Sequence, residues 1–394
     1  MNKLIITRWN EQVLTALASD SEVLQLGLED ESERSLLHNI YIGKVKNVVL
    51  NINSAFVDIG NGQMTYYSLT ENTQHLYTKP HTGPQLHAGD EIIVQVAKDA
   101  VKTKDPVVSS HLNFTGKYCV LTLGKTTIGF SNKIVDQAWK DSVKAPLMQE
   151  KEESFGIIVR TNARDASMEE MIEELRQLRT RYHLVMESGQ YRTCYSLLYE
   201  EQPSYVTSLR DTYAAQMDEI ITDDPAIYQT MENYLQKEQP EDVKKLIFYK
   251  DPMVSLIKLY RIEKTMEEVL HPKVWLKSGG YLVIESTEAC HVIDVNTGKY
   301  TGKKNLRDTL LKINLEAARE ISKQLRLRNL SGIILIDFID MEMEEDKKLL
   351  MSRLADWCAA DSVKTNVVDM TKLNLVEVTR KKLRRPLYEE VARH

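Results

Sequence analysis

Residues 279–341 read GGYLVIESTEACHVIDVNTGKYTGKKNLRDTLLKINLEAAREISKQLRLRNLSGIILIDFIDM, and their pattern decides the fold. Two apolar runs, CHVIDVN and IILIDF, each carry an aspartate near the carboxyl end, Asp294 and Asp337. Side chains alternate along a strand, so Asp294 and Asn296 share one face. IILIDF is apolar at both parities, as expected of a central strand covered on both sides. Between the runs, Leu306, Leu310, Ile313, Ala317, Ile321 and Leu325 recur at helical spacing. A strand–helix–strand unit of this length brings both strand ends to one edge of a sheet.

Two aspartates and an asparagine at one rim are hard oxygen ligands suited to Mg²⁺. Such an ion keeps bound waters, one of which can attack a phosphodiester. The following loop, TGKYTGKKN, adds Gly298, Gly302, Lys299, Lys303 and Lys304. Glycines admit backbone amides close to phosphates, and lysines supply positive charge. Strand-end aspartates also cap strands and cross-link loops, and the residues alone leave both readings open. Asp340, three residues beyond Asp337, falls off that strand face and reads as structural.

The 394 residues suffice for roughly two to four folding units. A net charge of −6 gives no global basic signature, so any surface for nucleic acid is local. Cys119, Cys194, Cys290 and Cys358 are far apart and form no CxxC pair, which suits a reducing compartment and argues against a thiolate zinc site. The opening MNKLIITRWNEQVL lacks a signal-peptide core, and no apolar run reaches membrane-spanning length, so a cytoplasmic location is expected.

The segments VIDVNTG and LIDFIDM, with STEA before the first and LEAAREISKQLRLRNLSGI between, closely resemble the catalytic core of the ribonuclease E/G family. The resemblance implies an α/β multi-domain chain. Its parts would be a discontinuous RNase H-like subdomain (1–34 and 209–272), an OB-fold RNA-binding barrel (35–118), a 5′-sensor domain (119–208) and a DNase I-like catalytic domain (273–394). It implies a Mg²⁺-dependent endoribonuclease, with Mn²⁺ as the alternative ion, leaving 5′-phosphate and 3′-hydroxyl ends. The substrate implied is single-stranded RNA, including messenger RNA and precursors of ribosomal and transfer RNA. In that family the residues matching Asp294 and Asp337 hold the metal, and the one matching Asn296 positions the scissile phosphate. By the same alignment Phe56 and Tyr66 are stacking aromatics, Lys98 and Lys104 contact RNA, and Arg160 and Thr161 of IVRT bind a 5′-terminal monophosphate. The rival reading is a non-catalytic RNA-binding factor that retains the fold.

Further outward, LIITRW, QVLTALA and EVLQLGLE read as strands too short to close a core alone, so they need partners from later in the chain. In 209–272, DTYAAQMDEII and DPAIYQTMENYLQ look helical, and Asp224–Pro225 makes a helix start. The acidic residues of 217–242 read as a solvated face. Alternating strands broken by Gly43, Gly60 and Gly62 suggest a small barrel after residue 35. Within it, HLYTKPHTGPQLHAGD places His75, His81 and His87 six residues apart. That spacing does not suit a helix-borne metal pair and the Pro/Gly content reads as a loop, so no histidine metal site is expected. Ser167 opens a helix carrying Met168, Met171, Ile172, Leu175 and Leu178 on one face. MEEDKKLLMSRLADWCAAD then reads as a helix and TNVVDM as a strand. The basic run Arg380, Lys381, Lys382, Arg384 and Arg385 is either a phosphate contact or a solvated tail.

The chain departs from the family at three points. Tyr66 and Tyr67 stand where phenylalanine and an aliphatic residue are usual. Lys372 replaces an arginine, keeping the charge but losing the planar fork. The CPxCxGxG motif that links subunits through zinc is absent from these 394 residues. Neither zinc nor a zinc-linked dimer is therefore expected, and the oligomeric state is open.

Overall fold

The computed structural model describes residues 1–31, 35–100, 104–211, 217–298, 306–382 and 385–392. Lys299, Gly302, Lys303, Lys304 and Arg384 lie outside the described residues. The chain is mixed α/β and divides into two units, Met1–Glu33 with Gln216–His394, and Arg34–Ala215. Each unit contains two sheets.

In the first unit, strands Asn2–Trp9, Gln12–Ser19 and Val23–Glu29 run antiparallel and recruit two later strands, Glu219–Thr222 and Leu246–Phe248. Asn2–Trp9 pairs in parallel with Glu219–Thr222, Leu4 opposite Ile220. The need of the first three strands for late partners is thus met by long-range pairing. The helical reading of DTYAAQMDEII is corrected here: Glu219–Thr222 is a strand in which Ile220, Ile221 and Thr222 are all buried. Their β-branched side chains favour the strand once neighbours supply a ladder on both sides. The expected return near residue 209 falls inside helix Ser204–Asp211, which belongs to the second unit, and the first described strand after it in the first unit is Glu219–Thr222. Asp224 does cap helix Pro225–Glu238, its carboxylate accepting from the Ala226 and Ile227 amides at 2.8 and 3.0 Å.

The second sheet of this unit has six strands, ordered Lys273–Trp275, Tyr281–Ser286, His291–Asn296, Gly332–Asp337, Leu375–Arg380, Thr365–Met370. Its only parallel pair among the described residues is His291–Asn296 with Gly332–Asp337, joined through helix Leu306–Leu327. That helix buries Ile313, Ala317, Ile321 and Leu325 against Ile293, Val295, Ile334 and Ile336, and helix Glu344–Cys358 adds Leu350 and Leu354. IILIDF is not covered on both sides as its composition suggested. Ile333 is 53% exposed and Val292 36%, because both helices pack on one face and leave the other to solvent. Leu375–Arg380 inserts between Gly332–Asp337 and the edge strand Thr365–Met370.

In the second unit, Ile40–Val49, Ser54–Asp58, Met64–Ser68, Val107–Ser109 and Glu91–Lys98 form a five-stranded barrel, closed by pairing of the last strand with the first. Its interior holds Val45, Val57, Tyr67, Ile92, Val94 and Val96. The other sheet, ordered Ile128–Phe130, Gly156–Val159, Cys119–Thr122, Asn113–Thr115, packs on helices Gln137–Glu150 and Met168–Tyr191. Ser167 and Glu170 form a reciprocal cap at the start of the latter, which buries Met171, Leu175 and Leu178.

Candidate functional site

The parallel strand pair sets the geometry of the rim. Asp294 is the register partner of Asp337, so the two carboxylates leave the same exposed face of adjacent strands, about 4.8 Å apart in backbone spacing. The buried residues alternate with them: Ile293, Val295, Ile334 and Ile336 turn inward. Asn296 shares the outer face and donates from Nδ2 to Asp294 Oδ2 at 2.7 Å. A carboxamide carries two N–H groups, so this bond orients Asp294 and leaves a second donor direction on the same amide.

The electrostatics of the rim are unbalanced. Asp337 is held above the usual carboxylate value, first by partial burial, then by the negative charges of Asp294 and Asp340. Two carboxylates pressed together in this way suit a hard dication, and their oxygen donors fit Mg²⁺ or Mn²⁺. Asp340, read as structural, also contributes negative charge beside Asp337. Its Oδ1 accepts from Asn374 Nδ2 at 3.1 Å, and Lys347 Nζ lies 3.3 Å from Asn374 Oδ1. Leu375 pairs with Asp337, so the exposed Lys372, in the turn just before it, sits at the same end of the sheet. Gly298 has a local explanation other than phosphate approach. With φ of +61°, any Cβ there would lie 2.2 Å from the Gly279 carbonyl oxygen.

The barrel carries a continuous row on its outer face. Asn47 pairs with Phe56, Phe56 with Tyr66, Tyr66 with Val107, and Val107 with Lys98. Phe56 and Tyr66 are half-buried and meet edge to face at 6.3 Å on this outer row. Lys98 and Lys104 are exposed. Tyr67 points the other way, fully buried, its hydroxyl bonded to His75 Nδ1 and Ser110 Oγ, each at 2.8 Å. Those two partners satisfy the hydroxyl, which explains how the barrel core tolerates a tyrosine where an aliphatic residue is usual.

Arg160 follows strand Gly156–Val159 and is already engaged. Its Nη1 donates to the Gly116 carbonyl at 2.5 Å, and its Nη2 to Asp211 Oδ1 at 2.9 Å. Glu174, half-buried, accepts the amides of Lys117, Tyr118 and Cys119 and so fixes the turn carrying Gly116. Desolvation opposes the shift, but Arg210 and then Arg160 pull the Asp211 carboxyl down to about 2, although 41% of the side chain is exposed. Thr161 Oγ1 lies 3.2 Å from Ser131 Oγ.

The basic run at the end of the chain is corrected in part. Arg380 is buried and paired with buried Asp361 at 2.7 Å, and it also donates to Asn329 and Leu330. It therefore ties strand Leu375–Arg380 into the sheet, while Lys381 and Lys382 are exposed. The alternation of LVEVTR contained the signal, because Arg380 has the same parity as buried Val376 and Val378.

Fold and site together define a mixed α/β protein with a paired-carboxylate rim and an aromatic-faced barrel. The chain belongs to the ribonuclease E/G family: the family model described as "Ribonuclease E/G family" matches residues 113–383. It is 32% identical to the ribonuclease G of Salmonella typhimurium (strain SL1344) over 376 residues, covering 93% of this chain and 77% of that protein. Ribonuclease G of Escherichia coli (strain K12) gives the same identity and coverage. Ribonuclease E of Synechocystis sp. is 32% identical over 396 residues, 99% of this chain, and the chain spans 58% of its length. No helix among the described residues is long and apolar enough to cross a membrane.

Proposed function

We propose that the chain is a divalent-metal-dependent endoribonuclease acting on single-stranded RNA, with Mg²⁺ as the ion and 5′-phosphate ends as products. The observation that carries this reading is the register of Asp294 opposite Asp337 on one exposed sheet face. Asp294 and Asp337 would hold the ion, which supplies an activated water and offsets charge on the scissile phosphate. Asn296 keeps Asp294 oriented and offers its remaining N–H to a phosphate oxygen. The Phe56–Tyr66 face stacks bases, and Lys98 and Lys104 neutralise phosphates. We read the barrel as the OB-fold domain, the six-stranded sheet as the DNase I-like part, and the sheet begun by Asn2–Trp9 as the RNase H-like part.

In this reading Arg160 selects a 5′-monophosphate. An internal carboxylate, Asp211, now takes the place that a phosphate oxygen would take on its fork. The deciding assay compares 5′-monophosphorylated with 5′-hydroxyl single-stranded RNA, in Mg²⁺ and in chelator, for the wild type and Asp294→Asn. Cutting by the wild type in Mg²⁺ that disappears in the variant supports the enzyme. Tight binding without cutting by either protein overturns it in favour of a non-catalytic RNA-binding factor.

A further inference from the structure

A second convergence of metal-donor side chains lies in the barrel's long loop, between strands Met64–Ser68 and Glu91–Lys98. His81, His87 and Asp90 each place one donor atom within 4.8 Å of the others. The six-residue spacing that excluded a helical pair is irrelevant here. The loop reverses at Gly83 and Gly89, whose φ values of +91° and +98° suit glycine, and so folds His87 and Asp90 back onto His81.

The orientation of His81 is set from two sides. Tyr77 stacks flat on its ring, with centroids 4.0 Å apart and planes 3° apart, and Tyr77 itself bridges to Ile92 of the barrel. His81 Nδ1 lies 3.0 Å from the Gly83 carbonyl oxygen, a contact that only an N–H satisfies. In the neutral ring the lone pair is then on Nε2. That atom faces Asp90 Oδ2 at 3.3 Å, and His87 Nδ1 lies 3.9 Å from the same oxygen. Asp90 Oδ2 is itself fixed by the His87 amide, which donates to it at 2.7 Å.

A lone pair facing a carboxylate oxygen is repulsive until a proton or a metal cation stands between them. With metal–donor bonds of about 2.0–2.1 Å, tetrahedral ligand atoms sit about 3.3–3.4 Å apart. The His81–Asp90 separation of 3.3 Å already has that value, and the His87–Asp90 separation of 3.9 Å reaches it with a shift of about half an ångström. A backbone carbonyl accepting from the far nitrogen of a metal-bound histidine is the usual outer-shell arrangement. His81 and Asp90 are half-buried, whereas His87 is 61% exposed and leaves a fourth position open to water. Two imidazoles and one carboxylate suit Zn²⁺ and its first-row neighbours, not Mg²⁺.

We propose that His81 Nε2, His87 Nδ1 and the Asp90 carboxylate bind one transition-metal dication of the zinc class. The ion clips the 77–90 loop to the barrel and is separate from the Asp294–Asp337 rim. This revises the expectation that the chain takes no zinc.

The test uses the full chain, stripped with chelator and titrated with Zn²⁺ against a chromophoric competitor in excess Mg²⁺. One Zn²⁺ per chain is expected. His87→Ala, an exposed change whose folding is checked by circular dichroism, lowers the affinity by about 100-fold or more. The Asp294→Asn/Asp337→Asn double variant keeps wild-type affinity. Co²⁺ in place of Zn²⁺ gives the visible bands of a tetrahedral nitrogen–oxygen site, and His87→Ala abolishes them. The proposal is overturned if the wild type takes up no Zn²⁺. It is equally overturned if His87→Ala binds like the wild type, or if the rim double variant loses the ion.

Discussion

Asp337 and Asp211 are both aspartates at the end of a secondary-structure element, yet their surroundings drive them in opposite directions. Asp211 sits between Arg210 and Arg160, and its carboxyl is pulled down to about 2. Asp337 faces Asp294 and Asp340 with no cation bonded to it among the described residues, and its carboxyl is pushed up. The first site carries its own counter-charge, and in the proposed sensor role it would take a phosphate only by releasing the aspartate. The second is left with repulsion that a dication relieves. A site whose charges are unbalanced in the folded chain advertises the sign of its ligand, whereas a balanced one conceals it.

The strongest way to break this comparison is at the rim. Asp294→Asn or Asp337→Asn should reduce single-turnover cleavage by at least about 10³-fold, with RNA affinity retained. Mg²⁺ should raise the Tm of the wild type and leave that of the double variant unmoved. Without metal, Asp337→Asn should be no less stable than the wild type, since it removes repulsion. A variant that melts lower without metal would mean the carboxylate serves the fold instead.

Next in size is the barrel face. Phe56→Ala should weaken binding of single-stranded RNA by about 1–3 kcal/mol, the worth of one stacked base, while Tyr66→Phe changes little. Equal losses from both would indicate a barrel distortion, which a Tm measurement would reveal.

On the balanced side, Arg160→Ala should lower the preference for 5′-monophosphate over 5′-hydroxyl RNA by about tenfold or more, as expected for a charge-assisted contact. Asp211→Asn should sharpen that preference by removing the internal competitor. Unchanged discrimination in both variants would remove the sensor role and leave the cleavage chemistry standing.

The smallest effect is on pH. Because the folded-state value of Asp337 is raised, this carboxyl regains its proton at a higher pH than an ordinary aspartate. Metal binding and cleavage should therefore fail on the acid side at a pH above the ordinary 3.8, and rising Mg²⁺ should move that limb downward. The sign for stability is opposite. A raised acid favours the folded state at low pH, and that contribution is lost as pH rises through the folded-state value. Asp340→Asn removes one of the two repelling charges and should shift the limb to lower pH. An acid limb insensitive to both Mg²⁺ and Asp340→Asn would assign it to another group.

Much of this architecture was legible in the residues, and the failures share a cause. The helix bearing Ile313, Ala317, Ile321 and Leu325, the cap at Ser167 and the alternation of Ile293 and Val295 with Asp294 are local patterns, and each is found where the spacing predicted. Glu219–Thr222 was misread because a short β-branched run takes its conformation from the strands beside it. Arg380 was taken for a surface charge because nothing adjacent in sequence announces Asp361, its buried partner 19 positions away. Nothing along the barrel loop's sequence announces that His81, His87 and Asp90 converge, because the reversal of the loop brings them together.

The amino-acid order alone determined which face of its strand Asp294 occupies and that Asn296 shares it, since the backbone repeat of two is a local property. Only the tertiary structure decided that Asp337, 43 positions later, lies opposite. It also decided that Asp211 occupies the arginine fork and that His81, His87 and Asp90 meet. Strand register and loop closure are chosen by which apolar surfaces can be buried together, and that choice belongs to the whole chain.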